Sequence, residues 1–169
     1  MISKKVAEEI LKQADKEFYS ERKYIAMEYY FKSLDLNSYA KLFNDYAMEE
    51  RKHAYKMLEF LDEHNCSTAI GHVPEVKTVF NSPKDVFEEA YLHEIQITKW
   101  ITDIYKLAEK EDDIASQQFL DWFIEEQREE ENKMLTRLNR LKLAGDDMSA
   151  VLFLDMHDGA TEGLKTEEL

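Results

Sequence analysis

Residues 46–58 read YAMEERKHAYKML, and the charge set into their apolar stripe decides both fold and site. Apolar residues recur at helical spacing on either side: Phe43, Tyr46 and Ala47 before, Ala54, Met57, Leu58 and Leu61 after. Continued through the middle, that stripe lands on Glu50 and His53, three residues apart and so neighbours on one helix face. A carboxylate on a core-facing stripe is costly unless a partner meets it. Either this stripe is wetter than its flanks imply, or a cation belongs inside.

The same oddity recurs in three other helical patterns. In ILKQADKEFYSERKYIAMEYYF, residues 10–31, Glu17 interrupts a face built from Ile10, Ala14, Tyr24, Met27 and Phe31. Glu94 sits within the stripe of VFEEAYLHEIQITKWI, residues 86–101, and Glu126, Gln127 and Glu130 break the run from Phe119 and Phe123 to Met134 and Leu138. All the interruptions fall near helix middles, where a four-helix bundle brings them to one level. A single Glu on such a stripe is more often a snorkelling or interface residue than a ligand. Four at matched depth, with Glu-x-x-His, favour a binding site.

Composition agrees with long amphipathic helices. The chain has 169 residues, enough for one domain with a real core, and only 4 Gly and 2 Pro. Its net charge of −14 repels phosphate backbones, which sets nucleic acid aside, and attracts cations. No stretch has the length and apolarity to span a bilayer, and MISKKVAEEI lacks a signal-peptide core, so a cytoplasmic location is expected. The single Cys66 offers neither an internal disulfide nor a thiolate metal site.

The expected fold class is all-α: a four-helix bundle in one domain over 1–169, with helices at about 3–34, 38–64, 83–109 and 115–144 and a short fifth at about 148–157. Ser3 and Ser82 are candidate N-caps, Pro83 suits a first helical position, and Gly145 suits a C-cap. Short links make antiparallel pairs of helices one and two and of three and four. Between the pairs lies NCSTAIGHVPEVKTVFN, residues 65–81, which can span about 56 Å when extended. A 25-residue helix is about 38 Å long, so the connector can run the whole bundle and leave helices two and three parallel.

Glu17, Glu50, Glu94, Glu130 and His53 then converge. Four carboxylates in a low-dielectric core repel severely, and two divalent ions bring the charge near zero. Carboxylate with imidazole suits iron, manganese or zinc, and Glu50, between His53 and the other carboxylates, is assigned as the bridge. His64, His72 and His157 have no partners at ligand spacing, and His93 points about 100° from Glu94 on its helix; all four are read as ordinary structural or exposed residues.

Glu17 with Tyr24, EERKH at 49–53, HE at 93–94 and EEQREEE at 125–131 resemble the non-haem ferritins of the bacterial type, over nearly the whole chain. The resemblance implies iron storage with a ferroxidase centre that oxidises Fe(II) with dioxygen or peroxide. Glu17, Glu50 and His53 would hold the first iron, and Glu50, Glu94 and Glu130 the second. A third iron site maps onto Glu49, Glu126, Glu129 and Glu130; the spacing of the last three on one helix supports it independently. The resemblance also gives Gln127 a hydrogen bond near the centre, Tyr24 a ligand contact or electron, and Trp122 either a redox role or that of a core aromatic. No haem is expected, since Arg51 and Lys52 stand where a haem-binding Met would be sought. It further implies a homo-oligomer of 24 chains, with Met148–Met156 lining a symmetry axis. The sequence itself offers aromatic residues beyond one internal stripe, Tyr29, Tyr30, Tyr39 and Trp100 among them, and some of these are expected at subunit contacts. Two other readings compete: a soluble di-iron oxidase or peroxidase that stores nothing, and a metal-free helical module whose stripe carboxylates pair with Lys or Arg.

Overall fold

Ser82 accepts the Asp85 N–H in front of Pro83, fixing the start of one helix, and the left-handed Gly145 ends the next. The computed structural model describes residues 2–165, with side chains through residue 160. It contains α1 (Lys4–Ser33), α2 (Asn37–Glu63), α3 (Pro83–Lys110), α4 (Ile114–Ala144) and α5 (Met148–Lys165).

Three of the turns share one construction. Asp35, Asn65 and Asp112 each adopt a left-handed φ, between 52° and 56°, just past a helix end. Asp and Asn tolerate that conformation better than other side-chain-bearing residues. The following amides turn back onto the helix: Leu36 donates to the Phe31 carbonyl at 3.1 Å, Cys66 to Leu61 at 2.9 Å and Asp113 to Ala108 at 2.8 Å. Carbonyls that the helix leaves unsatisfied are thereby paired. Asp113 then caps α4 through the Ser116 N–H and also accepts the Ser3 N–H at 2.8 Å, pinning the start of α1.

Ring contacts give the topology. Tyr39 and Phe43, early in α2, pack on Phe87, early in α3, at 5.0 and 5.1 Å, so α2 and α3 run parallel. Phe60 near the end of α2 stacks on Phe119 near the start of α4 at 4.0 Å, so those two are antiparallel. The connector runs along the bundle as its length allows: Gly71 N–H donates to Asp15 at 2.9 Å, Lys77 pairs with Glu89 at 2.8 Å, and Phe80 packs on Tyr30.

The core is split in two. An aromatic-rich cluster holds Tyr24, Phe31, Tyr39, Phe43, Phe87 and Met134, and an aliphatic-rich one holds Ile10, Met57, Leu61, Ile97, Leu120 and Phe123. Along every bundle helix the buried residues between the two clusters are polar, Ala54 apart.

Two expectations need correction. The fifth helix runs to Lys165 rather than about 157. Asp158–Gly159 has poor helix propensity by itself, yet Asp158 pairs with Arg140 at 2.8 Å, and Gly159 passes so close to Ser38 that a Cβ there would lie 2.3 Å from its Oγ. Tyr39, one of the candidates for a subunit contact, is only 1% exposed because Phe31 and Phe87 enclose it.

Candidate metal centre

The buried polar layer draws one level from each helix: Gln13, Glu17 and Ser20 from α1, Glu50 and His53 from α2, Glu94 from α3, and Gln127 and Glu130 from α4. Helical spacing puts each on its core-facing stripe, and the split core leaves the layer between greasy ends. Glu17, Glu50 and His53 each offer a ligand atom, all within 4.8 Å of one another. His53 Nδ1 lies 3.3 Å from Glu50 Oε2, and its ring is held edge-on by Trp122 and Phe123 at 5.5 and 5.8 Å.

Glu94 is gripped from both sides. Tyr24 Oη donates to its Oε1, and Gln127 Nε2 donates to its Oε2 at 3.0 Å. Gln13 Nε2 donates to Glu17 Oε1 at 2.8 Å, while Glu17 Oε2 and Glu130 Oε2, both buried, receive no such donor among the described residues. Buried acceptors without a donor are rare. These face a group of carboxylates, the setting in which a cation is the natural partner.

Electrostatics within the layer is severe. Burial, then the Glu50 charge, pushes the Glu17 carboxyl well above the usual range. Burial, then Glu94, does the same to Glu50. Glu94 and Glu130 are each raised to about 7, chiefly by burial; donors from Tyr24 and Gln127 oppose the rise at Glu94, and Lys133 opposes it at Glu130. Tyr24 is held far above its ordinary value by burial and by Glu94, so it remains a donor. Without cations the layer holds protons at neutral pH; divalent cations can take their place.

Glu49, Glu126 and Glu129 stand outside this layer. Glu49 and Glu126 are half-buried and line a cavity of about 270 Å³ with Lys52, His53, Lys56 and Trp122, whereas the Glu129 side chain is 70% exposed. Trp122 is a cavity wall under the Lys56 ammonium, 3.7 Å from its ring, and not a core aromatic. His93 donates to or accepts from Ser20 Oγ at 2.8 Å, and burial followed by the Lys23 charge lowers it to about 4, so it is a neutral structural imidazole.

Sequence reading passed over Gln13 and Lys133. Gln13 had a visible signal, lying four residues before Glu17 on the same stripe. Lys133 had a weaker one, at i+3 from Glu130 and i+4 from Glu129, where its 3.3 and 4.0 Å contacts now lie.

A ferritin-like domain model matches residues 7–144. The bacterial non-heme ferritin of Staphylococcus aureus is 29% identical over 160 residues, covering 95% of this chain and 96% of that protein. That of Bacteroides fragilis is 30% identical, covering 94% and 99%. Among solved structures, an open-pore ferritin from the hyperthermophilic archaeon Archaeoglobus fulgidus superposes with a TM-score of 0.91 at 35% identity, covering 94% of this chain and 98% of that one. The chain belongs to the ferritin family.

Proposed function

We propose that this chain is an iron-storage ferritin whose buried polar layer is a ferroxidase centre, oxidising Fe(II) to Fe(III) and passing it to a ferric mineral inside a closed protein shell. The observation that carries the reading is the meeting of Glu17, Glu50 and His53 within 4.8 Å, level with Glu94 and Glu130 in a layer otherwise sealed by apolar clusters. The ferritin-like domain over residues 7–144 and the similarity to bacterial non-heme ferritins support the same reading.

Fe(II) is the substrate. Glu17, Glu50 and His53 would hold one ion, and Glu50, Glu94 and Glu130 a second, with Glu50 bridging. Two ferrous ions supply the two electrons that reduce one dioxygen, with two protons, to hydrogen peroxide; peroxide is an alternative two-electron oxidant. Three carboxylate oxygens suit the harder ferric product, and one imidazole retains affinity for Fe(II). Tyr24 and Gln127 fix both oxygens of Glu94, so the second position is oriented before iron arrives. Glu49, Glu126 and Glu129, with Glu130, form an outer position for a third ion on the route away from the centre. The net charge of −14 favours cation entry and mineral nucleation. Two irons at the centre with a third nearby, a 24-chain cage, and a cytoplasmic setting complete the reading.

Glu50→Ala tests it. Stopped-flow mixing of the metal-free protein with aerobic Fe(II) should show rapid oxidation in wild type and a loss of at least about a hundredfold in the variant, which keeps its helical circular dichroism. A wild-type initial rate in Glu50→Ala would sink the assignment. Particle sizing after iron loading separates storage from a di-iron oxidase that stores nothing: storage requires a large particle with a ferric core.

A further inference from the structure

Of the cationic side chains near the outer carboxylates, Lys52 and Lys56 line the cavity with Glu49 and Glu126, while Lys133 contacts Glu130 and Glu129 directly. Lys133 Nζ lies 3.3 Å from Glu130 Oε1 and 4.0 Å from Glu129 Oε2. As a lysine ammonium it carries its charge throughout the neutral range. Its side chain is 42% exposed on a flexible stem, so it can leave for solvent without disturbing the bundle. Glu130 itself is 1% exposed and faces two ways: Oε1 meets this ammonium, and buried Oε2 has no partner among the described residues.

We infer that Lys133 is a built-in counter-cation of the Glu49–Glu126–Glu129–Glu130 cluster, holding the place of a third divalent ion and weakening that position relative to the inner pair. This rests on the reading of the inner layer as a divalent-cation site. An ammonium and a divalent ion on the same carboxylates repel, so the outer ion binds only when Lys133 swings out. Its affinity is then reduced by the fraction of time the lysine is in place. The consequence is directional. Glu130, shared by inner and outer positions, is offered first to the inner pair, and an ion passing outward is held loosely and released. Lys133 thus acts as a specificity-determining residue for how many ions the chain retains.

The test is anaerobic Co(II) titration of the metal-free protein by calorimetry, with the visible spectrum of bound Co(II) reporting coordination. Wild type should bind two ions per chain tightly and a third weakly. In Lys133→Met the third should tighten about fivefold, with a smaller change at the inner two, while Lys133→Arg, which keeps the positive charge, should remain close to wild type. Thermal melts confirm that each variant is folded. Third-ion affinity in Lys133→Met within twofold of wild type would overturn the inference, as would a Lys133→Arg that behaves like Lys133→Met. Failure of wild type to bind the inner pair would instead remove the functional reading. The outer position, compared between wild type and Lys133→Met, would still decide the role of the lysine.

Discussion

Glu130 shows at a single residue what the layer costs the metal-free chain. Its carboxyl is raised from 4.5 to about 7. Below pH 4.5 the folded and unfolded chains both carry the proton. Between 4.5 and 7 only the folded chain keeps it, so this group's contribution to stability falls as pH rises and levels off above 7. A shift of that size corresponds to a destabilisation of roughly 3 kcal/mol at pH 8. Metal-free Glu130→Gln should therefore melt above wild type at pH 8, with the gap closing by pH 5; equal melting temperatures at pH 8 would contradict the buried-charge account. Divalent ions should reverse the order, because in wild type they replace the proton with a stronger partner. Metal affinity should accordingly fall as pH drops below about 7, with Glu94 contributing alongside Glu130.

Among the elements, the bundle helices and the fifth helix are fixed by different means. The Ser82 cap, Pro83 and Gly145 are local devices and legible from sequence, whereas the turns at Asp35, Asn65 and Asp112 were legible only as interruptions. The α5 anchor was not legible at all. Asp155, 3% exposed, accepts the Tyr39 N–H at 2.7 Å and the Ser38 N–H at 3.4 Å, and so caps α2 from 116 residues away. A carboxylate at a helix N-terminus satisfies open amides and meets the positive end of the dipole. Asp155→Ala should cost about 1 kcal/mol and accelerate amide exchange in α5 well before exchange in α1–α4 changes. Uniform acceleration across all five helices would mean that α5 has no separate docking equilibrium.

For the whole molecule, the apolar surface still lacks an explanation within one chain. On α5, Leu152, Phe153 and Met156 are 47%, 67% and 65% exposed, and their spacing places them together beside the inward-facing Val151 and Asp155. Contiguous exposed apolar side chains mark contacts with other chains. Light scattering on the purified protein should give a closed homo-oligomer, 24 chains being the number the family resemblance implies. Phe153→Asp should shift the distribution to smaller particles while the subunit stays folded. A clean wild-type monomer at micromolar concentration would count against a shell. No helix among the described residues is long and apolar enough to cross a membrane.

The amino-acid sequence determined the helices and the level of the site, because both follow from local periodicity. Interrupted stripes at Glu17, Glu50 and His53, Glu94, and Glu130 need only a period of 3.6 to be read. The length of residues 65–81 sufficed for the parallel α2 and α3, since a shorter connector could not reach. Tertiary structure decided whatever depends on partners distant in the chain. Gln127 and Tyr24 grip Glu94 from 33 and 70 residues away, and Tyr39 turns inward because Phe31 and Phe87 leave a slot for it. It also decided that Glu129 stands in solvent while Glu130 lies buried, and that Lys133 reaches both. Spacing puts such residues within reach of one another, but burial sets the energy of each contact, and burial exists only once four helices have packed.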